Sequence, residues 1–103
     1  MYFRIARSVE LVDPADTAAF HASCDPSLSD DDIAAVLDRE NIGAPVPGDP
    51  SHLLVRVDAV RRLAAGRVGP TWDRDFESML TYAAGKGWLS NDGTSIRAHL
   101  ERC

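Results

Sequence analysis

Cysteine is scarce in this chain, with two residues, Cys24 and Cys103, among 103. One of the pair is the last residue, where chains fray, so the two do not amount to a disulfide framework. A chain of this length buries about 60–70% of its unfolded surface and needs no such staple. Long apolar runs are also missing. None approaches about 18 residues, which excludes a membrane-spanning helix. The opening Met1-Tyr2-Phe3-Arg4-Ile5-Ala6-Arg7 has arginines with no apolar stretch behind them, unlike a secretory leader. A reducing, cytoplasmic setting is therefore the expectation.

Clustered positive charge is lacking. The formal charge is −5, split between ten acids and three bases in residues 1–52 and six acids and eight bases in residues 53–103. Neutralising phosphates takes concentrated Lys and Arg, which argues against a nucleic-acid or anionic-membrane binder. The second half, at a net +2, is still able to meet an anionic group locally.

Catalytic and cofactor motifs are absent too. His21, His52 and His99 lie far apart, with no H-E-x-x-H, no C-x-x-C and no paired Cys/His spacing, so no metal site is expected. Asp73-Arg74-Asp75 opens like a calcium loop, but Ser78 stands where glycine is needed and Ala84 where the closing acid is needed. It reads better as the acidic first turn of a helix, as does Asp30-Asp31-Asp32. Without a phosphate loop, a G-x-G-x-x-G or a G-x-S-x-G, no cofactor is expected. Gly66-Arg67-Val68-Gly69 is followed at once by Pro70 and reads as a helix stop and turn. His21 and Cys24 fall three apart on an expected helix, where an imidazole can favour a thiolate; a buried thiol beside a rim histidine is the commoner arrangement.

What remains is an ordinary mixture, 45% apolar and 26% charged, consistent with one domain over residues 1–103. Residues 2–12 alternate, with Phe3, Ile5, Val9 and Leu11 on one face, and read as a strand. Asp13-Pro14 reads as the start of a helix ending near Cys24. Ser29 with Asp32 forms a near capping box, stapled by Leu28 on Ile33, and Asn41 and Gly43 are natural stops. Residues 43–50, with prolines at 45, 47 and 50, read as an ordered loop. Residues 52–57 read as a strand and 59–65 as a helix, the competing reading being one long helix capped by Ser51. Trp72, Phe76, Met79, Leu80 and Ala83 trace a helix over 72–84, closed by Gly85 and Gly87, onto which Trp88 folds back. Asn91-Asp92-Gly93 is a turn, and 95–101 a last alternating strand. The expected fold is α+β, with two to three strands (about 2–12, 52–57 and 95–101) packed against three to four helices. The alternative is an all-α bundle.

If 52–57 and 95–101 pair, one polar face carries His52, Arg56, Arg97, His99 and Glu101 within mutual reach. Arg56 and Arg97 suit a small anionic ligand, and His52, His99 and Glu101 suit acid–base work near neutral pH. Trp72 and Trp88 are the candidate apolar walls. The plainer reading is a solvated sheet face with both tryptophans in the core. Two function classes follow. The first is a small soluble binding or accessory protein, acting through a protein partner or as a homodimer, with edge strands and the 43–50 loop available for pairing. The second is a small cofactor-independent enzyme of isomerase, cyclase or hydrolase type, acting on a small molecule with those histidines and Glu101.

Overall fold

Nine elements follow one another in the computed structural model, which describes residues 1–102: β1 (Tyr2–Ile5), β2 (Val9–Val12), β3 (His21–Cys24), α1 (Asp30–Arg39), β4 (Gly43–Val46), β5 (Asp49–Arg56), α2 (Val57–Ala64), α3 (Trp72–Gly85) and β6 (Ser95–Arg102). The strands form one curled, mixed sheet in the order β2-β1-β3-β6-β5-β4. The β1–β3 and β3–β6 pairs are parallel and the rest antiparallel. The expected sheet of two to three strands is therefore wrong, and so is the all-α alternative.

Three local errors account for the difference. Residues 2–12 are a hairpin rather than one strand, with Phe3 opposite Leu11 and Ile5 opposite Val9. The three-residue connection at 6–8 preserves the odd-numbered buried set, so alternation alone does not distinguish one long strand from two short ones folded back. Residues 13–24 form turns and β3 rather than a helix. Asp13 adopts φ 51°, which no right-handed helix start allows. Carbonyls that a helix would use are taken from outside: the Met1 ammonium donates to Asp16 O at 2.7 Å and Ala19 O at 2.9 Å, and Trp72 Nε1 donates to Pro14 O at 2.6 Å. Residues 43–50 are a hairpin turn with its flanking strands, not a loop. Pro47-Gly48, with Gly48 at φ 76°, has the residues of a type II turn, and Val46 pairs with Asp49 across it. Pro45 is tolerated because β4 is an edge strand.

The helical signals hold better. Ser29 and Asp32 exchange both capping-box bonds, at 3.1 and 3.0 Å. Gly87 adopts φ 77° past α3, and Trp88 N–H returns to Ala83 O at 2.9 Å. All three helices send buried residues to the inner sheet face, where Phe3, Leu53, Val55, Ile96 and Ala98 meet Ile33 and Leu37 of α1, Val60 of α2 and Phe76 of α3. The end of α1 also covers the β2 edge: the Glu40 carboxylate accepts from Val9 N–H at 3.2 Å, and Arg62 donates to Glu40 O at 3.1 Å. Among the described residues no helix is long and apolar enough to cross a membrane.

Gly43 lies where β4 crosses closest to β5. A Cβ there would fall 1.9 Å from Leu54 O, whereas a Cβ on Gly48 would meet nothing. Gly43→Ala should cost about 3 kcal/mol or more in urea denaturation, the upper range for forced backbone shifts. Gly48→Ala should cost about 1–2 kcal/mol, from its left-handed backbone alone. Equal losses would place β4 elsewhere.

Candidate binding cleft on the outer sheet face

In the β5–β6 pair His52 is opposite His99 and Leu54 opposite Arg97. Antiparallel partners share a face, and Leu53, Val55, Ile96 and Ala98 occupy the inner one, so His52, Arg97 and His99 project outward. The two imidazoles meet edge to face, with centroids 5.3 Å apart. Asp49, the first residue of β5, binds them into a cluster: one carboxylate oxygen takes His52 Nδ1 at 2.8 Å and Arg97 Nη2 at 2.9 Å, and the other takes Ser51 N–H at 3.1 Å. Desolvation pushes the Asp49 carboxyl up, but the hydrogen bonds from His52, Ser51 and Arg97 together outweigh it and hold the group below the usual carboxylate range. An ionised carboxylate only accepts, so Nδ1 of His52 carries its proton toward Asp49.

Trp88 arrives from the other side of β6. Arg97 N–H donates to Trp88 O at 2.7 Å, and Leu89 bridges to Ile96. Trp88 is thus opposite Arg97 and shares its face. Phe20, His52, Trp88, Arg97 and His99 line a cleft of about 370 Å³. Phe20, Trp88 and Arg97 also border a smaller, mainly apolar hollow of about 100 Å³, whose other walls include residues 17–19, Met79 and Tyr82. Tyr82 and Trp88 touch edge to face at 5.9 Å and remain 60% and 44% exposed.

Of the seven candidates from the sequence, His52, Arg97, His99 and Trp88 come together and three do not. Arg56 shares the β5 face but is four residues from His52, roughly 13 Å along the strand. It forms a two-bond pair with Asp58, at 3.0 and 2.9 Å, and lines a separate hollow with Arg61 and Thr94. Glu101 is exposed farther along β6, opposite Ser23. Trp72 is buried, stacked on Phe76 at 4.8 Å.

Asp49, Phe20 and Tyr82 were missed. The Pro47-Gly48 turn was the signal for Asp49, since it starts a strand three residues before His52. Phe20 was hidden inside an expected helix, and Tyr82 falls off the apolar stripe of α3.

His21 and Cys24 sit on opposite faces of β3, His21 outward and Cys24 in the core, so they form no thiol–imidazole pair. Cys103 lies outside the described residues. Ala22 pairs with Leu100, which puts His21 and His99 one residue earlier on a common face, and Tyr2 stacks on His21 at 4.9 Å. The histidines are thus closer than their sequence spacing implies. Still, among the described residues no group of three or more His, Cys, Asp or Glu is placed to hold a metal ion.

No family model, curated protein or solved structure matches this chain.

Because Asp49 titrates below its unfolded value, its contribution to stability is complete above the ordinary carboxylate range near pH 4 and fades as pH falls through the lowered value. Asp49→Asn should lower the urea midpoint at pH 7. The gap from wild type should shrink on acidification below about pH 4. A gap that stays constant into strong acid would show that the carboxylate charge is not its source.

Proposed function

We propose that this chain is a small binding protein that engages a protein partner through the outer sheet face around Trp88. The observation that carries the reading is the Tyr82–Trp88 ring pair, exposed side by side, with Trp88 lining a cleft that holds one guanidinium and two imidazoles. Scattered exposed apolar residues need no explanation, but contiguous aromatic rings beside a concave polar site have the composition of a recognition surface. Tryptophan and tyrosine dominate such surfaces because they bury much area with few rotatable bonds. A second copy of the chain is a poorer occupant, since it brings another −5 of charge to the contact.

The enzymatic reading has one observation in its favour. Asp49 fixes the tautomer of His52, so Nε2 is left as an acceptor in a cleft, which is the arrangement of an oriented general base. No nucleophile accompanies it among the residues lining that cleft. On this reading a small anionic molecule is the substrate, and His52→Gln abolishes turnover while leaving the fold intact.

The test is site-specific photo-crosslinking in the protein's own host, with the probe at position 82 and a control at position 58. One partner, identified by mass, is expected from position 82 and not from 58. Trp88→Ala should remove it, since truncating a central aromatic anchor costs about 2 kcal/mol or more, roughly thirtyfold in affinity. The same products from both positions, or a partner indifferent to Trp88→Ala, would overturn the proposal.

A further inference from the structure

We infer that the element recognised at this cleft is the free C-terminus of a polypeptide whose last residue has a small apolar side chain. The inference rests on the outer face being the recognition surface, and it names what that surface reads. The two hollows share Phe20, Trp88 and Arg97 in their lining but differ in their other walls. The larger holds Arg97, His52 and His99, and the smaller is walled by Phe20, Met79, Tyr82 and Trp88. A ligand filling both carries a hydrogen-bond acceptor for Arg97 and His99, best an anion, clear of the His52 Nε2 acceptor and next to an apolar group. At about 100 Å³ the smaller hollow takes roughly three to four heavy atoms, allowing ~30 Å³ for each. That is the size of a valine or leucine side chain.

Charge narrows the anion. Arg97 supplies one fixed positive charge, and Asp49 already takes part of it. Such a cluster favours a carboxylate monoanion over a phosphate dianion, which would face the Asp49 charge at close range. A terminal residue joins the two required groups through one Cα, so side chain and carboxylate diverge within a few ångströms. The exposed Tyr82 ring distinguishes the source. It walls the hollow and still stays 60% exposed, so its outer surface extends past the site, where a free acid leaves it uncovered and the preceding residues of a peptide lie against it. Backbone and side-chain donors capturing a terminal carboxylate are an established recognition mode.

The probe is a fluorescein-labelled hexapeptide of glycine and serine ending in alanine, valine, leucine, methionine or phenylalanine. Each is titrated by anisotropy as the free acid and as the C-terminal amide. The valine or leucine acid should bind saturably, and amidation or Arg97→Gln should each weaken it about tenfold, the scale of a lost charge-assisted hydrogen bond. Exposed His99 provides a second variant, His99→Gln, which leaves the Asp49–Arg97 pair in place and should weaken binding about threefold. Tyr82→Ser removes one wall of the hollow and the surface beyond it, so it should weaken the peptide by a larger factor than it weakens N-acetyl-leucine. Absence of saturable binding by every free-acid peptide, equal affinity for acid and amide, or N-acetyl-leucine binding as tightly as the peptide would each overturn the inference. If the peptides fail while crosslinking from position 82 still depends on Trp88, the surface stands and the terminal-carboxylate reading falls.

Discussion

Strand β6 is hydrogen-bonded to β5 with His52 opposite His99, and the outer face takes its chemistry from that register. A slip of one residue would turn Arg97 and His99 into the core and expose Ile96, Ala98 and Leu100. Burying a guanidinium and an imidazole without partners costs several kcal/mol, far more than any turn preference at either end. Two local devices hold the register. The Pro47-Gly48 turn sets where β5 begins and so places Asp49, whose carboxylate then spans to Arg97 on the neighbouring strand. At the start of β6, Asp92 accepts from the Ser90 and Thr94 hydroxyls, which lower its pKa to about 2 and keep that turn's acceptor ionised at any ordinary pH.

The sheet leaves this face open because its helices all pack on the other side. The sheet is curled, and the C-terminal end of α1 closes over the β2 edge through Glu40 and Val9. A sheet with one covered face ordinarily presents polar residues on the other. Here the open face carries Tyr2, His21, His99 and His52 on four neighbouring strands, and Trp88 joins it from beyond α3. Helix α3 determines which tryptophan goes where. Trp72 and Phe76 are one turn apart on its buried stripe, whereas Trp88 follows the left-handed Gly87 and leaves the helix axis altogether.

That contrast was legible in the residues, since helical spacing includes Trp72 and excludes Trp88. So was the alternation that puts His52 with Leu54, and Arg97 with His99, on single faces. What one sequence does not encode is which strands are neighbours: nothing local says that residues 52–57 pair with 95–101 rather than with 2–5. The hairpin at 2–12 was unreadable for a different reason, because an odd-length connection preserves parity. Residues 13–24 failed because Asp13-Pro14-Ala15-Asp16 satisfies every local condition for a helix start, while Met1 and Trp72, distant in sequence, claim its carbonyls. Counting prolines at 45, 47 and 50 obscured the turn formed by Pro47 and Gly48, and with it Asp49.

Arg97 is where fold and site constrain each other. Its backbone N–H donates to Trp88 O, its Nη2 donates to Asp49, and its Nε is buried with no partner. An unsatisfied buried donor costs about 1–3 kcal/mol, which an apolar residue at this position would not incur. The Asp49 pair offsets part of that cost and orients the guanidinium, but it also dilutes the positive charge that the cleft presents. A lone guanidinium would draw any anion, phosphates included. One already sharing a carboxylate presents less positive charge, so on the terminal-carboxylate proposal the apolar hollow beside Trp88 would contribute much of the affinity. The same pairing bears on catalysis. Asp49 divides its acceptor oxygen between His52 and Arg97, so it orients the imidazole less tightly than a carboxylate devoted to it alone.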